Sequence, residues 1–121
     1  MRRATTPTHT FTFPDSVPVD GLSEILITYS QDKKTILEKR MADLTLSASE
    51  NTASYTLTQD ETKKFAPAKA LIQVRAKGEN GVVLASQMLW LDVKPVLNSE
   101  EMYWIQMKTT NLTLIRKKTL T

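Results

Sequence analysis

The sequence predicts an all-β fold: an antiparallel β-sandwich of about seven strands with one short helical turn and an appended C-terminal segment. Three observations carry this prediction. Short runs rich in Thr, Val, Ile and aromatic residues alternate polar and apolar, the period-two signature of half-buried strands. Turn residues separate the runs at the close spacing of sandwiches and barrels. The 121-residue length corresponds to one domain, enough to bury a modest core without disulfides or metals.

Taken in order, Thr8 to Phe13 (THTFTF) is a period-two strand closed by Pro14. Phe11 and Phe13 share one face, and Thr8, Thr10 and Thr12 the other. After a loop with Pro18 and Gly21, Ile25, Ile27 and Tyr29 form the apolar side of a second strand. Gln31-Asp32-Lys33-Lys34 turns it into a third at Thr35 to Arg40. Leu44 to Ala48 and Ala53 to Thr58 pair around the polar Ser49-Glu50-Asn51-Thr52 turn. Thr58-Gln59-Asp60-Glu61 is a capping box that starts one helical turn through about Phe65, and Pro67 stops it. Leu71 to Lys77 and Val82 to Val93 make the last hairpin across Gly78-Glu79-Asn80-Gly81, where Asn-Gly supplies the positive φ of a tight turn.

Leu57, Glu61 and Phe65 recur every four residues at the crossing between the fifth and sixth strands. This spacing resembles the L-x-x-x-D-x-x-x-Y corner of immunoglobulin-like domains, although Phe65 has no hydroxyl to make the tyrosine-corner hydrogen bond. The cysteine pair and central tryptophan of that family are also missing. The resemblance implies an immunoglobulin-like strand order for the sandwich.

The domain is expected to span residues 1-97, with an N-terminal arm at 1-7, and 98-121 form a separate extension. Asn98-Ser99-Glu100-Glu101 offers a helix start. Met102, Ile105 and Trp104 follow at helical contact range, and Asn111 to Ile115 then alternates like a strand. Such a segment either completes the protein's own sheet or adds a strand to a neighbour.

Charge narrows the partners. Of the net +3, two charges belong to Arg2 and Arg3 and four to Lys108, Arg116, Lys117 and Lys118, which leaves Ala4 to Met102 at −3. A slightly acidic body with basic ends is a poor nucleic-acid surface, because counterion release needs cations gathered on one face. No apolar run approaches the roughly 18 residues of a membrane span. The N-terminus lacks the apolar run of a secretory signal, so synthesis in a cytoplasm is expected.

The inventory for chemistry is thin, so no cofactor, metal or catalytic residue is expected. His9 is the only histidine and cysteine is absent, so a zinc site would need an unusual all-carboxylate ligand set. His9 reads more simply as a strand position. No G-x-S-x-G elbow occurs, and Gly21, Gly78 and Gly81 do not cluster as a phosphate loop does. The carboxylate pairs Asp60-Glu61 and Glu100-Glu101 read as acids in the first turn of a helix, where the dipole favours them.

Surfaces remain. If Leu89, Leu91 and Val93 face the core, Met88 and Trp90 face outward. They then form a partner site or lie beneath the C-terminal segment. Tyr103 and Trp104 raise the same question for the tail. The first strand, with Phe11 and Phe13, offers an edge that can pair with another subunit, preceded by a flexible arm carrying Arg2 and Arg3. These eight residues are the candidate protein-interface anchors.

R-R-x-T-T-P-T-x-T-F at Arg2 to Phe11, I-x-Y-S-Q at Ile27 to Gln31, L-E-K at Leu37 to Lys39, L-T-Q-x-E-T at Leu57 to Thr62 and L-A-S at Leu84 to Ser86 occur in that order. Together they resemble a group of small proteins encoded in the structural gene regions of tailed phages and prophages of Gram-positive bacteria. The resemblance spans roughly Arg2 to Asn98, and Tyr103 to Thr121 departs from the pattern. It implies a virion component of the head-to-tail joint, tail or baseplate, made in the bacterial host cytoplasm and partnered by other virion proteins or copies of itself. A small binding module that inhibits a host protein is the alternative. Nucleic-acid binding through the basic termini is the weaker one.

Overall fold

Alternating segments of this kind become strands because a sheet lets each bury one face. A computed structural model describes residues 1–97 and, as backbone strands, residues 102–108 and 111–116. Ten strands result: β1 (Thr8–Thr12), β2 (Leu22–Gln31), β3 (Lys34–Arg40), β4 (Thr45–Ser47), β5 (Thr52–Thr56), β6 (Lys69–Gly78), β7 (Val83–Ala85), β8 (Leu89–Asp92), β9 (Met102–Lys108) and β10 (Asn111–Arg116). One helical turn, α1 (Gln59–Lys63), lies between β5 and β6.

The first sheet has the order β1-β5-β4. The second runs β3-β2-β6, with β7 and then β8 sharing the outer edge of β6. All pairs of named strands are antiparallel, so the all-β prediction holds. Between the sheets lies one core, in which Ile27, Tyr29, Leu57, Phe65 and Val19 are almost wholly removed from water. Burial of this kind is the main stabilising contribution, roughly 1.5–3 kcal/mol per large side chain.

The local signals that hold are those with a mechanism. Thr58 Oγ1 accepts from Glu61 N at 3.1 Å, and Glu61 Oε1 accepts from Thr58 N at 3.0 Å, so the capping box forms and starts α1. In β1 the threonines are exposed while Phe11 and Phe13 are half-buried against the core. The β2–β3 turn places Asp32 (φ 51°) and Lys33 (φ 63°) in the left-handed region.

Four expectations need correction. The single strand from Val82 to Val93 is broken. Ala85 faces Arg75 whereas Leu89 faces Ile72, so the outer strand carries one extra residue, a β-bulge. Its cause is local: Ser86 Oγ accepts from Val74 N at 2.9 Å while Ser86 N donates to Val74 O at 2.8 Å. The Gly78–Gly81 turn uses positive φ at Gly81 (86°) but not at Asn80.

The arm with Arg2 and Arg3 is tied down. Lys94 N donates to Met1 O (2.7 Å) and Arg3 N to Lys94 O (3.0 Å), a parallel bridge beyond the end of β8. Finally, Met102, Tyr103, Trp104 and Ile105 lie in a strand, not a helix. Aromatic and β-branched residues favour the extended form, and Asn111–Arg116 pairs with it in a two-stranded sheet hydrogen-bonded to neither sheet of the body. The proposed helix cap at Asn98 to Glu101 lies outside the described residues.

Candidate protein interface

The turn 78–82 brings β7 back along β6, and the bulge at Ser86 offsets β8 from it. This edge carries the exposed apolar residues Val82, Val83, Leu84, Met88, Leu89 and Trp90, with Trp90 68% and Met88 56% accessible. Large apolar side chains scattered singly are ordinary, whereas six gathered along one sheet edge, Leu84 and Leu89 toward the inner face and Val83 and Trp90 toward the outer, are a mark of an interaction site. Trp90 stands opposite Leu71 on the outer face of β6. The Lys69 ammonium lies 5.8 Å from its ring centroid, and Lys69 also reaches Asp92 at 3.8 Å. The expected outward placement of Met88 and Trp90 matches the structure. Leu89, expected in the core, is 43% exposed.

Leu89 is exposed because the sandwich is open on this side. The edge of β1 and the edge formed by β7 and β8 bound a cleft of about 480 Å³ lined mainly by apolar groups, among them Phe11, Phe13, Val17, Leu84 and Leu89. Among the described residues β1 pairs with β5 alone, which leaves its outer edge free. It carries no Lys, Pro or acid within Thr8–Thr12, the usual guards of a free edge. Phe11 also stacks on Tyr55, with centroids 6.1 Å apart. Phe11 and Phe13 therefore serve the core and the cleft at once. Tyr103 and Trp104 lie in β9, which is hydrogen-bonded to neither sheet of the body.

A polar cluster crosses the core between the sheets. His9 Nδ1 on β1 lies 2.5 Å from the Tyr29 hydroxyl on β2, which in turn hydrogen-bonds the Tyr55 hydroxyl on β5. Burial, with the terminal ammonium adding to it, lowers the His9 pKa below its usual 6.5. Burial raises the pKa of both phenols far above its ordinary range. The trio is thus neutral near pH 7 and bridges the two sheets.

Beside it Lys39 Nζ meets Glu61 Oε2 at 2.5 Å. Burial alone would raise the Glu61 pKa, but the hydrogen bonds from Lys39 and Thr58 outweigh it and hold the group below its usual 4.5. Among the described residues no group of three or more His, Cys, Asp or Glu side chains is arranged to hold a metal ion.

The motifs that run along the chain now acquire physical roles. Arg2 Nη1 donates to Pro95 O (3.0 Å) and Arg3 Nη2 to Lys63 O (3.1 Å). Thr5 N donates to Thr62 Oγ1 and Thr62 Oγ1 donates to Thr5 O. Gln31 exchanges bonds with both backbone groups of Ala66, at 2.9 and 2.8 Å. Lys39 holds Glu61, and Ser86 shapes the bulge. Each motif supplies a polar clamp between segments distant in sequence, which is why it has a distinctive pattern without an evident chemistry.

Comparison with known proteins gives no match, either to a family model or to a curated protein sequence.

Proposed function

We propose that this chain is a non-enzymatic structural or assembly protein of a tailed-phage particle, a component of the head-to-tail joint, tail or baseplate. On this reading it acts by holding other virion proteins or copies of itself. The observation that carries the binding role is the cluster of exposed apolar residues between Val82 and Trp90 on one sheet edge, set beside an unguarded strand edge and an open cleft. Trp and Met anchors of this kind dominate protein interfaces once desolvated. The phage assignment rests on the ordered motifs from Arg2 to Ser86.

We infer also that the fold is immunoglobulin-like. Support comes from the strand orders β1-β5-β4 and β3-β2-β6-β7, which correspond to B-E-D and C′-C-F-G of that sandwich. Further support is the Leu57, Glu61, Phe65 corner, which lies between the strands that would be E and F. In this reading no strand among the described residues covers the free edge of β1, and Met1–Arg3 crosses to Lys94 instead.

Quantitative mass analysis of purified particles tests the function. The chain is expected in them at a fixed copy number. Its absence from particles made by cells that express it would reject the proposal.

A further inference from the structure

The sandwich is polarised in charge from end to end. One end gathers three loops joined by hydrogen bonds: Asn51 Nδ2 donates to Phe13 O and Val17 O, and Glu79 N donates to Gly21 O. The loops at 13–21, 48–51 and 79–82 carry Asp15, Asp20, Glu50 and Glu79, and no Lys or Arg. The nearest cations, Arg40, Arg75 and Lys77, line the outer face of the second sheet. The apolar cleft has Val74 and Ala76 in its wall instead, so it opens at the acidic end, by Phe13 and Val17, on the face turned away from those cations.

The opposite end joins the arm, α1 and the chain after β8, and is rich in cations, including Lys33, Lys34, Lys63, Lys64 and Lys94. The chain leaves the body at this basic end. Pro95 O is held by Arg2, and Leu97 is fully exposed. The β9–β10 hairpin that follows is basic too: from Tyr103 to Thr121 there are four cations and no acid.

We propose that the C-terminal hairpin of one copy docks on the acidic end of a second copy, with its apolar strands against the cleft between β1 and β7. This names a second copy as a partner and rests on the protein-contact reading above. Charge complementarity favours it, and chain length argues against the same contact within one copy.

Arg116 pairs with Met102 at the root of the hairpin, followed at once by Lys117 and Lys118. Seven residues from Pro95 to Met102 span at most ~25 Å. The ten-residue β6, which runs from the basic end to the acidic end, covers ~30 Å. The backbone at the root of the hairpin thus reaches its own acidic end only with the 95–102 segment fully drawn out and a long side chain closing the last ~5 Å, whereas a neighbour's acidic end can be met without that stretching. A two-stranded hairpin is marginal alone in water, so docking also gives β9 and β10 a surface to bury. Such a contact is head-to-tail and repeats into a ring or a filament.

Sedimentation velocity of the full chain over a wide concentration range tests this. Self-association is expected, and it is expected to weaken with added salt. Two sets of reversals, Asp15→Lys with Asp20→Lys, and Arg116→Glu with Lys117→Glu and Lys118→Glu, are each expected to weaken it at least about tenfold. Mixing the two variants pairs opposite charges at every junction and is expected to restore assembly. Glu50→Lys with Glu79→Lys serves as a second acidic-end pair should the first fail to fold.

A chain that stays monomeric at every concentration overturns the inference, as does association indifferent to both reversals, or a mixture that remains dissociated. If such a chain is still found in particles, the head-to-tail contact falls while the proposed function stands.

Discussion

Asn51 is the residue on which the acidic end is built, and replacing it tests how that end is held. Its backbone sits at φ 56°. Its Oδ1 accepts from Val19 N at 2.7 Å, and its Nδ2 reaches the carbonyls of Phe13, Pro14 and Val17 at 3.0, 3.1 and 3.2 Å. Two amide hydrogens cannot fully serve three carbonyls, so the donor side is worth about 2 kcal/mol at ~1 per bond. Val19 is 1% exposed, and leaving its N–H unpaired costs about 1–2 kcal/mol. Alanine in the left-handed region adds about 1 kcal/mol.

Asn51→Ala is therefore expected to destabilise the domain by about 4 kcal/mol, a fall in Tm of roughly 15 °C. Asn51→Gly, which tolerates the positive φ, should recover about 1 kcal/mol of that loss. Urea denaturation followed by circular dichroism measures both. A change below about 0.5 kcal/mol for Asn51→Ala, or a glycine variant less stable than the alanine one, would refute the reasoning.

Three further outcomes follow from the same structure. Because the folded state lowers the His9 pKa, the unfolded chain binds that proton more readily. Stability should be full above pH 6.5 and fall as pH drops below it, with a second loss below about 4.5 as Glu61 takes up its proton. His9→Gln should remove the first limb and keep the second in a pH series of urea melts. Replacing Asp32-Lys33 by Asn-Gly puts glycine at one left-handed position and asparagine, which tolerates that region, at the other, and should raise stability by about 1 kcal/mol in the same assay. Trp90→Lys should change stability by less than about 1 kcal/mol, since the ring is largely exposed and its contact with Lys69 is a surface one. The same variant should lose incorporation into particles in a complementation assay.

The parts of the fold legible in the sequence are those fixed by neighbours along the chain. THTFTF alternates because β1 has one wet face, and Thr58-x-x-Glu61 caps α1 through bonds three residues apart. The outward aim of Trp90 follows from parity alone. What stayed hidden depends on distant partners. The arm is held by Lys94, some ninety residues away, and the break at Ser86 depends on a backbone N–H of the facing strand. At the tail, Met102 and Ile105 fit a helical spacing as well as a strand, and aromatic content with cross-strand pairing decides for the strand. The His9–Tyr29–Tyr55 bridge was within reach: extending the parity of Phe11 and Phe13 back two residues puts His9 on the buried face. Only the fold brings Tyr29 across from the other sheet.

Site-specific photo-crosslinking in assembled particles tests the central claim most directly. With a photoreactive side chain at Met88 or Trp90, the chain is expected to crosslink to one defined virion protein or to another copy of itself. An equivalent probe at exposed Glu38 on β3 should give no such product. Particles that contain the chain yet show no crosslink from either β8-face position would contradict the account of that face as the binding surface.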